Sequence, residues 1–406
     1  MLNPTHETKP VNAAMLSYLI VLAGITTALH IWKLPPALPS LQAELGLSLV
    51  ESGFLLSLVQ LGGMTLGLAT GLFAEKIGLR RCLLLGLLLL ALASAAGAMF
   101  VDKDLMMILR AIEGCGFLMV VMPGPALIRR IAPPGQLTRL LGAWGTYIPI
   151  GAVIVLLGGS WLLSMFNWRV LWWVLAVVTV AVTAMAWRML PADPPRPQHD
   201  QRLSAWRMTV ITLRSENIWL VALCFAFYAG QWISVIGFLP TIYSLGGISG
   251  PTAGLLTALV AGSNAVGCFG AGGLLHRGFS VRSLMLTGYV TMIITTFIAF
   301  GTGAPVWLQF LMVLVFSIVG GLIPTSLFFL VIKLAPSSET TSTSIGWMQQ
   351  VSAAGQFAGP PIVAWVATLA GGWTSTWIVT GLFALTGIAM TLRLAHKIDR
   401  FKQAQP

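Results

Sequence analysis

The sequence predicts an all-α integral membrane protein with twelve transmembrane helices in two pseudo-symmetric six-helix bundles. Three observations carry that prediction. Hydrophobic residues make up 57% of the 406-residue chain and charged residues 9%, where a soluble domain carries about 25% charged residues. Long apolar runs alternate with short basic ones from about Ala14 to Ala395. The second half of the chain also repeats the first. A chain this apolar cannot cover itself with polar groups in water. In lipid, each backbone N–H and C=O must be satisfied within its own segment, which leaves helices as the spanning form.

A helix needs about 20 apolar residues to cross a bilayer, and twelve runs meet that length. The first, 14–38, follows a polar start and is too long for a signal-peptide core. The second and third, 49–73 and 82–101, flank the basic loop "GLFAEKIGLRR". The fourth, 105–128, opens on "LRAIEGCG", and the fifth, 138–163, contains Pro149 and Gly151. "NWRVLWW" leads into the sixth, 168–190. The longest polar interruption, Pro191 to Glu216, divides the spans six and six. The expected organisation is therefore an N-terminal bundle over 1–190, a central loop over 191–216 and a C-terminal bundle over 217–406. The remaining runs are 217–243, 251–274, 281–301, 305–333, 343–368 and 374–395. "GPP" at 359–361 predicts a kink in the eleventh, and "GGWTSTW" leads into the last.

Charge orients the spans. Lys9, Lys76, Arg80, Arg81, Arg129, Arg130, Arg139, Arg188, the arginines of the central loop, Arg277, Arg282, Lys333 and the C-terminal cluster all fall on one side of the alternation. Lys33, Lys103, Arg110 and Arg169 fall elsewhere. This bias predicts a multi-pass protein of the cytoplasmic (inner) membrane with both termini in the cytoplasm. It also accounts for the net charge of +11 without nucleic acid as a partner. The four cysteines, Cys82, Cys115, Cys224 and Cys268, lie in or beside apolar runs with no CxxC or Cys/His cluster. They read as buried thiols, with no disulfide framework, metal site or cofactor implied.

An offset of 201 residues superposes Leu38-Pro39 on Leu239-Pro240, Gly53 on Gly254, Gly71 on Gly272, Lys76 on Arg277 and Arg81 on Arg282. With small gaps, "IAPP" at 131–134 resembles "LAPS" at 334–337, and Trp168 matches Trp373. Six helices repeated in the same orientation give two bundles related by an axis along the membrane normal. Such bundles hold a substrate near the midplane and rock about it.

In the loop at 71–81, Gly78 suits positive φ, and Arg80 and Arg81 suit the cytoplasmic face. Gly71, Lys76, Gly78 and Arg80 match the signature G-x-x-x-D-[RK]-x-G-[RK]-[RK] of the major facilitator superfamily, which this chain resembles. Glu75 stands in for the signature's Asp, and Leu79 departs from its first basic position. A degenerate copy at 272–282 has His276 in place of the acid. The resemblance implies that Gly71, Glu75, Lys76, Gly78, Arg80, Arg81 and Arg277 serve gating. Arg110, Glu113, Gly114 and Gly116 resemble the family's R-x-x-[QE]-G-x-G. Within the family-wide class, the chain looks similar to the bacterial cyanate/nitroimidazole-type branch, although the first span lacks an Asn-x-Arg-Pro run. The antiporter signature G-x-x-x-G-P-x-x-G-G is only partly echoed in the fifth span, which favours uptake over export.

An arginine within a membrane helix marks function by default. Glu113, three residues on, shares its helical face. The pair is either self-satisfied, or Arg110 faces the cavity to bind an anion while Glu113 takes the coupling proton. His30 and Lys33 lie near the outer end of the first span, at a depth comparable to Arg110. Three cations in helices that line the cavity in the family suit an anionic substrate. The offset sets Gln231 opposite His30, and Tyr228 and Trp232 complete an aromatic, polar stripe on the seventh span. Gln60, Asn264, Thr325, Ser326, Gln349, Gln350 and Gln356 are further buried polar groups expected beside a wet cavity. The expected substrate-binding set is therefore His30, Lys33, Arg110, Tyr228, Gln231 and Trp232.

These features favour a monomeric secondary transporter of a small organic anion in the lipid bilayer, proton-coupled and running as an uptake symporter. A drug or metabolite proton antiporter is the alternative, with a passive facilitator or a membrane-embedded enzyme behind it. No GxxxxGK[ST] loop exists, so ATP does not drive it. An enzyme lacks paired carboxylates, since the lone DxD is Asp102-Lys103-Asp104.

Overall fold

The computed structural model describes residues 10–403 except 101, 134, 194–204 and 338, and their side chains except 10–12, 69–76, 138, 205 and 398–403. Among these residues the chain is helical and contains no strand. Eleven helices are long and apolar enough to cross a membrane. They are α1 (Ala13–Leu45), α2 (Leu49–Leu68), α3 (Leu79–Met99), α4 (Lys103–Ile131), α5 (Tyr147–Met165), α6 (Trp168–Met189), α7 (Glu216–Leu245), α8 (Gly250–His276), α9 (Val281–Gly301), α10 (Val306–Leu334) and, after one more helix, α12 (Trp373–Lys397). The intervening α11 (Thr341–Leu369) has 29 residues, about 43 Å of helix at 1.5 Å per residue. It is long enough to span. Gln349, Gln350 and Gln356 make it too polar to qualify by apolarity alone. Within the central interruption the apolar segment Ala205–Leu213 forms a short helix.

Several spans are interrupted, each with a local cause. Helix α1 breaks at Lys33 before Pro35 and Pro36, because prolines cannot donate to the preceding turn. A 3₁₀ turn at Leu58–Gln60 interrupts α2. Met122 and Pro123 break α4, and α5 contains a π-turn at Val155–Gly159.

Lipid supplies no hydrophobic drive between helices, so close backbone approach at small residues sets the packing. A Cβ at Gly114 would overlap the Val59 carbonyl, joining α4 to α2, and Gly86 and Gly116 join α3 to α4 in the same way. In the second half, Gly267 on α8 faces the Ile318 carbonyl of α10, and Gly355 on α11 faces Ala226 of α7.

The two halves are fused at one end. Gly53 of α2 lies against Pro360 and Pro361 of α11, and Gly254 of α8 against Leu156 and Ser160 of α5. The larger hydrophobic core runs through this end and across both halves, whereas a smaller core lies within the first half toward the chain termini. At the terminal end of α5 and α8, Gly142, Gly145, Gly270, Gly272 and Gly273 have open space where a Cβ would stand. The protein is closed at the end away from its termini, and its central cavity extends toward the other end, reaching Gly67, Gly142, Gly145 and Gln350.

These contacts give a paired test. Gly267→Ala should cost at least about 1–3 kcal/mol through overpacking, read as a lower thermal midpoint in detergent. Gly272→Ala should leave the midpoint unchanged. Equal midpoints for the two variants would contradict the packing described.

Candidate functional site

A cavity of about 560 Å³ lies between the halves. Ile31 and Trp32 of α1, Phe117 of α4, Tyr147 of α5, and Phe225, Tyr228 and Trp232 of α7 form its apolar and aromatic wall. Polar groups come from Gln60, Asn264, Thr325, Gln349, Gln350 and Gln356. Among the described residues no Asp, Glu, Lys, Arg or His lines it. At the closed end Trp32 and Trp232 meet edge to face, with ring centroids 5.7 Å apart. Several polar groups are already engaged. Asn264 Nδ2 donates to the Tyr228 hydroxyl at 2.9 Å and to the Ser317 carbonyl at 2.8 Å. Trp232 Nε1 donates to Ser317 Oγ at 3.2 Å. Gln60 Nε2 donates to Gln356 Oε1 across the halves at 3.2 Å. The Trp32 indole N–H is buried with no partner.

Behind this wall, in the first half, lies a charged cluster. Lys33 is fully buried, and Arg110 and Glu113 are each 2% exposed. Lys33 Nζ pairs with Glu113 Oε1, donates to Ser94 Oγ at 3.0 Å and lies 4.4 Å from the centroid of the Trp172 ring. Arg110 Nη1 donates to Glu113 Oε2 at 2.8 Å and to the His30 carbonyl; Nη2 donates to the Ile31 carbonyl at 2.8 Å, and Nε to the Leu55 carbonyl at 3.3 Å. These carbonyls are available for local reasons. The helical partner of Ile31 C=O would be residue 35, a proline without an N–H, and Leu55 precedes the 3₁₀ turn that shifts the donors of α2. Thr179 Oγ1 gives its only proton to the Leu175 carbonyl at 2.6 Å, so His30 Nε2 donates to it at 2.8 Å. His30 Nδ1 then faces Glu113 Oε1 at 3.7 Å, too far for a hydrogen bond.

His30, Lys33, Arg110 and Glu113 therefore come together, as their shared depth in the sequence implied, but none lines the cavity. Tyr228 and Trp232 do line it, whereas Gln231 is fully buried away from it with neither amide atom hydrogen-bonded. The two remaining off-pattern cations are paired with acids near the closed end: Lys103 with Glu51 at 2.8 Å, and Arg169 with Glu44. Tyr147, Trp32 and Phe225 had no sequence signal beyond being aromatics in apolar runs, and only helix rotation brings them to the cavity.

In the loop between α2 and α3, the side chains of Gly71, Glu75 and Lys76 lie outside the described residues. Gly78 has φ +108°, and a Cβ there would overlap Asp193. The Asp193 carboxylate accepts from the backbone N–H groups of Arg80 at 3.0 Å and Arg81 at 3.2 Å and pairs with Arg130 at 3.0 Å. Arg80 also donates to the Trp187 carbonyl. The segment after α6 is thereby clamped to the N-terminus of α3, where helix dipole and unpaired amides favour an anion. Burial pushes the Asp193 carboxyl up, but the two amides and Arg130 more than offset it and hold it below the usual range. Asp193 carried no motif signal; its place just after the sixth span was the available clue. Arg277 lies exposed at the end of α8.

A two-bundle, twelve-helix membrane protein closed at one end around a central cavity has the architecture of a solute transporter rather than an enzyme. The chain matches the Major Facilitator Superfamily model over residues 15–344 and belongs to that family. It is 27% identical over 202 residues to an uncharacterized MFS-type transporter of Mycobacterium tuberculosis (strain ATCC 25618 / H37Rv), covering 49% of this chain and 28% of that protein. It is 31% identical over 159 residues to the puromycin resistance protein pur8 of Streptomyces alboniger, covering 39% and 31%. To the cyanate transport protein CynX of Escherichia coli (strain K12) it is 26% identical over 254 residues, covering 61% and 63%. The chain thus spans less than two thirds of the length of each of these relatives. A bacterial homolog of the human lysosomal transporter Spinster, inward-facing and occupied, shares the fold with a TM-score of 0.81 at 16% identity, over 96% of this chain and 98% of that one. A D-xylose-proton symporter shares it with a TM-score of 0.73 at 17% identity, over 95% and 97%.

Removing Glu113 strands two buried cations. Glu113→Gln should cost about 3–5 kcal/mol, and adding Lys33→Met should restore part of it; a thermal midpoint that the second change lowers further would contradict the shared carboxylate. For Asp193, the depressed folded-state value means its contribution is complete above the unfolded value near pH 3.9 and is lost as pH falls through the lower folded value. Asp193→Asn should then lower the midpoint equally at about pH 6 and pH 8. A loss confined to one of those conditions would contradict the clamp.

Proposed function

We propose that this protein is a proton-coupled secondary transporter that moves a small, uncharged, largely apolar solute by alternating access. The observation that carries this reading is the cavity lining. Carboxamide, hydroxyl and indole groups stand in an aromatic wall, with no charged side chain among the described residues that line it. Such a site gains from burying apolar surface and orients its ligand with a few hydrogen bonds. A charged solute would lose its hydration there with no ion to replace it. In the sequence, His30, Lys33 and Arg110 point to an organic anion. Their side chains are instead committed to Glu113, Ser94, Thr179 and backbone carbonyls.

The buried cluster supplies the coupling group. Glu113 lies one helical turn before Phe117, which lines the cavity, so a solute that displaces the wall of α4 also disturbs the carboxylate and its cations. Intramembrane ionisable groups mark ion pathways and proton relays, and Glu113 is the carboxylate of this cluster. The basic loops favour a cytoplasmic location for both termini and for the open end. The two six-helix bundles, 1–190 and 217–406, are the moving bodies, and the loop clamp around Gly78, Arg80 and Arg81 serves gating together with Gly71, Glu75, Lys76 and Arg277.

A thermal-shift screen of the purified protein against uncharged aromatic compounds, small carboxylates and inorganic anions tests the solute class, because a ligand of the folded state raises its stability by mass action. Uncharged aromatics should stabilise the protein, and Trp232→Ala should remove the effect. Stabilisation by carboxylates alone, unaffected by Trp232→Ala, would return the site to an anion carrier. Transport of a hit into or out of proteoliposomes under an imposed pH gradient then reads coupling and direction together. Flux independent of that gradient would exclude proton coupling.

A further inference from the structure

Gln350 reaches from α11 into α2 and takes two backbone groups. Its Oε1 accepts from the Leu68 N–H at 2.8 Å, and its Nε2 donates to the Met64 carbonyl at 2.9 Å. Those groups are four residues apart, the spacing of one α-helical hydrogen bond. The carboxamide thus bridges the same donor and acceptor that an uninterrupted helix joins to each other. Glycine makes room for it: a Cβ at Gly67 would lie 3.0 Å from Gln350 Cβ and 3.1 Å from its Oε1. One turn earlier on α11, Gly346 admits the Leu68 side chain, which a Cβ would approach to 3.3 Å. Gln350 also lines the central cavity.

We propose that Gln350 is a reversible clasp between the two bundles and a gating residue for transport. When the carboxamide withdraws, the Leu68 N–H and the Met64 carbonyl close on each other, and α2 keeps its backbone hydrogen bonding. The freed carboxamide turns to the cavity, where water or solute satisfies it. Equal numbers of hydrogen bonds are made in the two arrangements, so the exchange is nearly balanced. A contact that must form and break in every transport cycle needs that property, because a deeply favoured tie would hold the carrier in one state. The clasp also gives solute a handle on the gate, since whatever hydrogen-bonds Gln350 in the cavity competes with α2 for it. This inference rests on the alternating-access reading above.

Two solute-free measurements test it. Gln350→Met keeps the side-chain length and removes both hydrogen bonds. Hydrogen exchange at the Leu68 amide should stay within about threefold of the wild-type rate, because the helix closes its own bond. In a background with the four native cysteines replaced by serine, spin labels at Gln136→Cys and Ser342→Cys report the separation of the bundles at the open end. Both sites are exposed. Gln350→Met should shift the distance distribution to longer values and broaden it. Gly67→Ala, which crowds the carboxamide from the α2 side, should shift it the same way and serves if Gln350→Met fails to fold. Exchange at Leu68 accelerated about tenfold or more would show a fixed tie with no alternative bond. An unchanged distance distribution in both variants would show no gating role. Neither measurement uses a solute, so a screen that overturns the proposed solute class leaves both readable.

Discussion

One carboxylate organises the first bundle. Glu113 is shared by Lys33 from the broken end of α1 and by Arg110 from its own helix, one on each oxygen. Arg110 spends its other N–H groups on carbonyls of His30, Ile31 and Leu55. A guanidinium suits this task because its donors form a rigid fork and it does not deprotonate. The result ties α1, α2 and α4 together where α1 and α2 depart from regular helix. Prolines 35 and 36 break α1 and release a carbonyl, and the arginine supplies the donor that proline lacks. Buried ion pairs are weak evidence for stability in themselves, but breaking one is costly. That asymmetry makes the cluster costly to break from the arrangement seen here.

The second bundle repeats the framework without the charge. At the offset of 201 residues, His30 corresponds to Gln231, Lys33 to Ser234, Ser94 to Thr295 and Thr179 to Thr380. Each charged or basic position has become neutral, and the local hydrogen bonds run among hydroxyls and carbonyls, as between Thr380 and Thr296 at 3.1 Å. With the ionisable machinery confined to one half and set behind its wall, the cavity is left to neutral groups from both halves. A buried, charged cluster is thereby separated from a polar but uncharged cavity.

Between the bundles, the interface is graded along its length. At the closed end, backbones meet through Gly53 and Gly254, contacts that a single Cβ would block. At mid-height Gln60 meets Gln356 and Gly63 lies against Ala353, and toward the open end the Gln350 carboxamide sits on the α2 backbone. Helix α11 carries both of these glutamines, which is why it is the span of lowest apolarity. Its polarity faces a partner helix and a cavity, where buried amides find donors and acceptors that lipid would not supply.

Much of this protein was legible in one dimension. Apolar run length, the side on which Lys and Arg fall, and the 201-residue repeat determine a twelve-helix, two-bundle membrane protein, because lipid permits few alternatives to a helix of fixed length. Of the buried polar residues expected beside a cavity, Gln60, Asn264, Thr325, Gln349, Gln350 and Gln356 line it, since an unpartnered amide in hydrocarbon is costly. Ser326 instead bonds the Leu322 carbonyl within its own helix. What the sequence could not decide is which way a side chain points once its depth is known. Lys33 and Arg110 lie at the right height to meet an anion, but the rotation of α1 and α4 turns them onto Glu113 instead. Tyr228 and Gln231, three residues apart on α7, part company in the same way, one toward the cavity and one into the core. Asp193 finds the N-terminus of α3 across 112 residues of chain. Helix rotation and such long-range meetings depend on how neighbouring backbones pack at glycine, and only the tertiary structure contains that information.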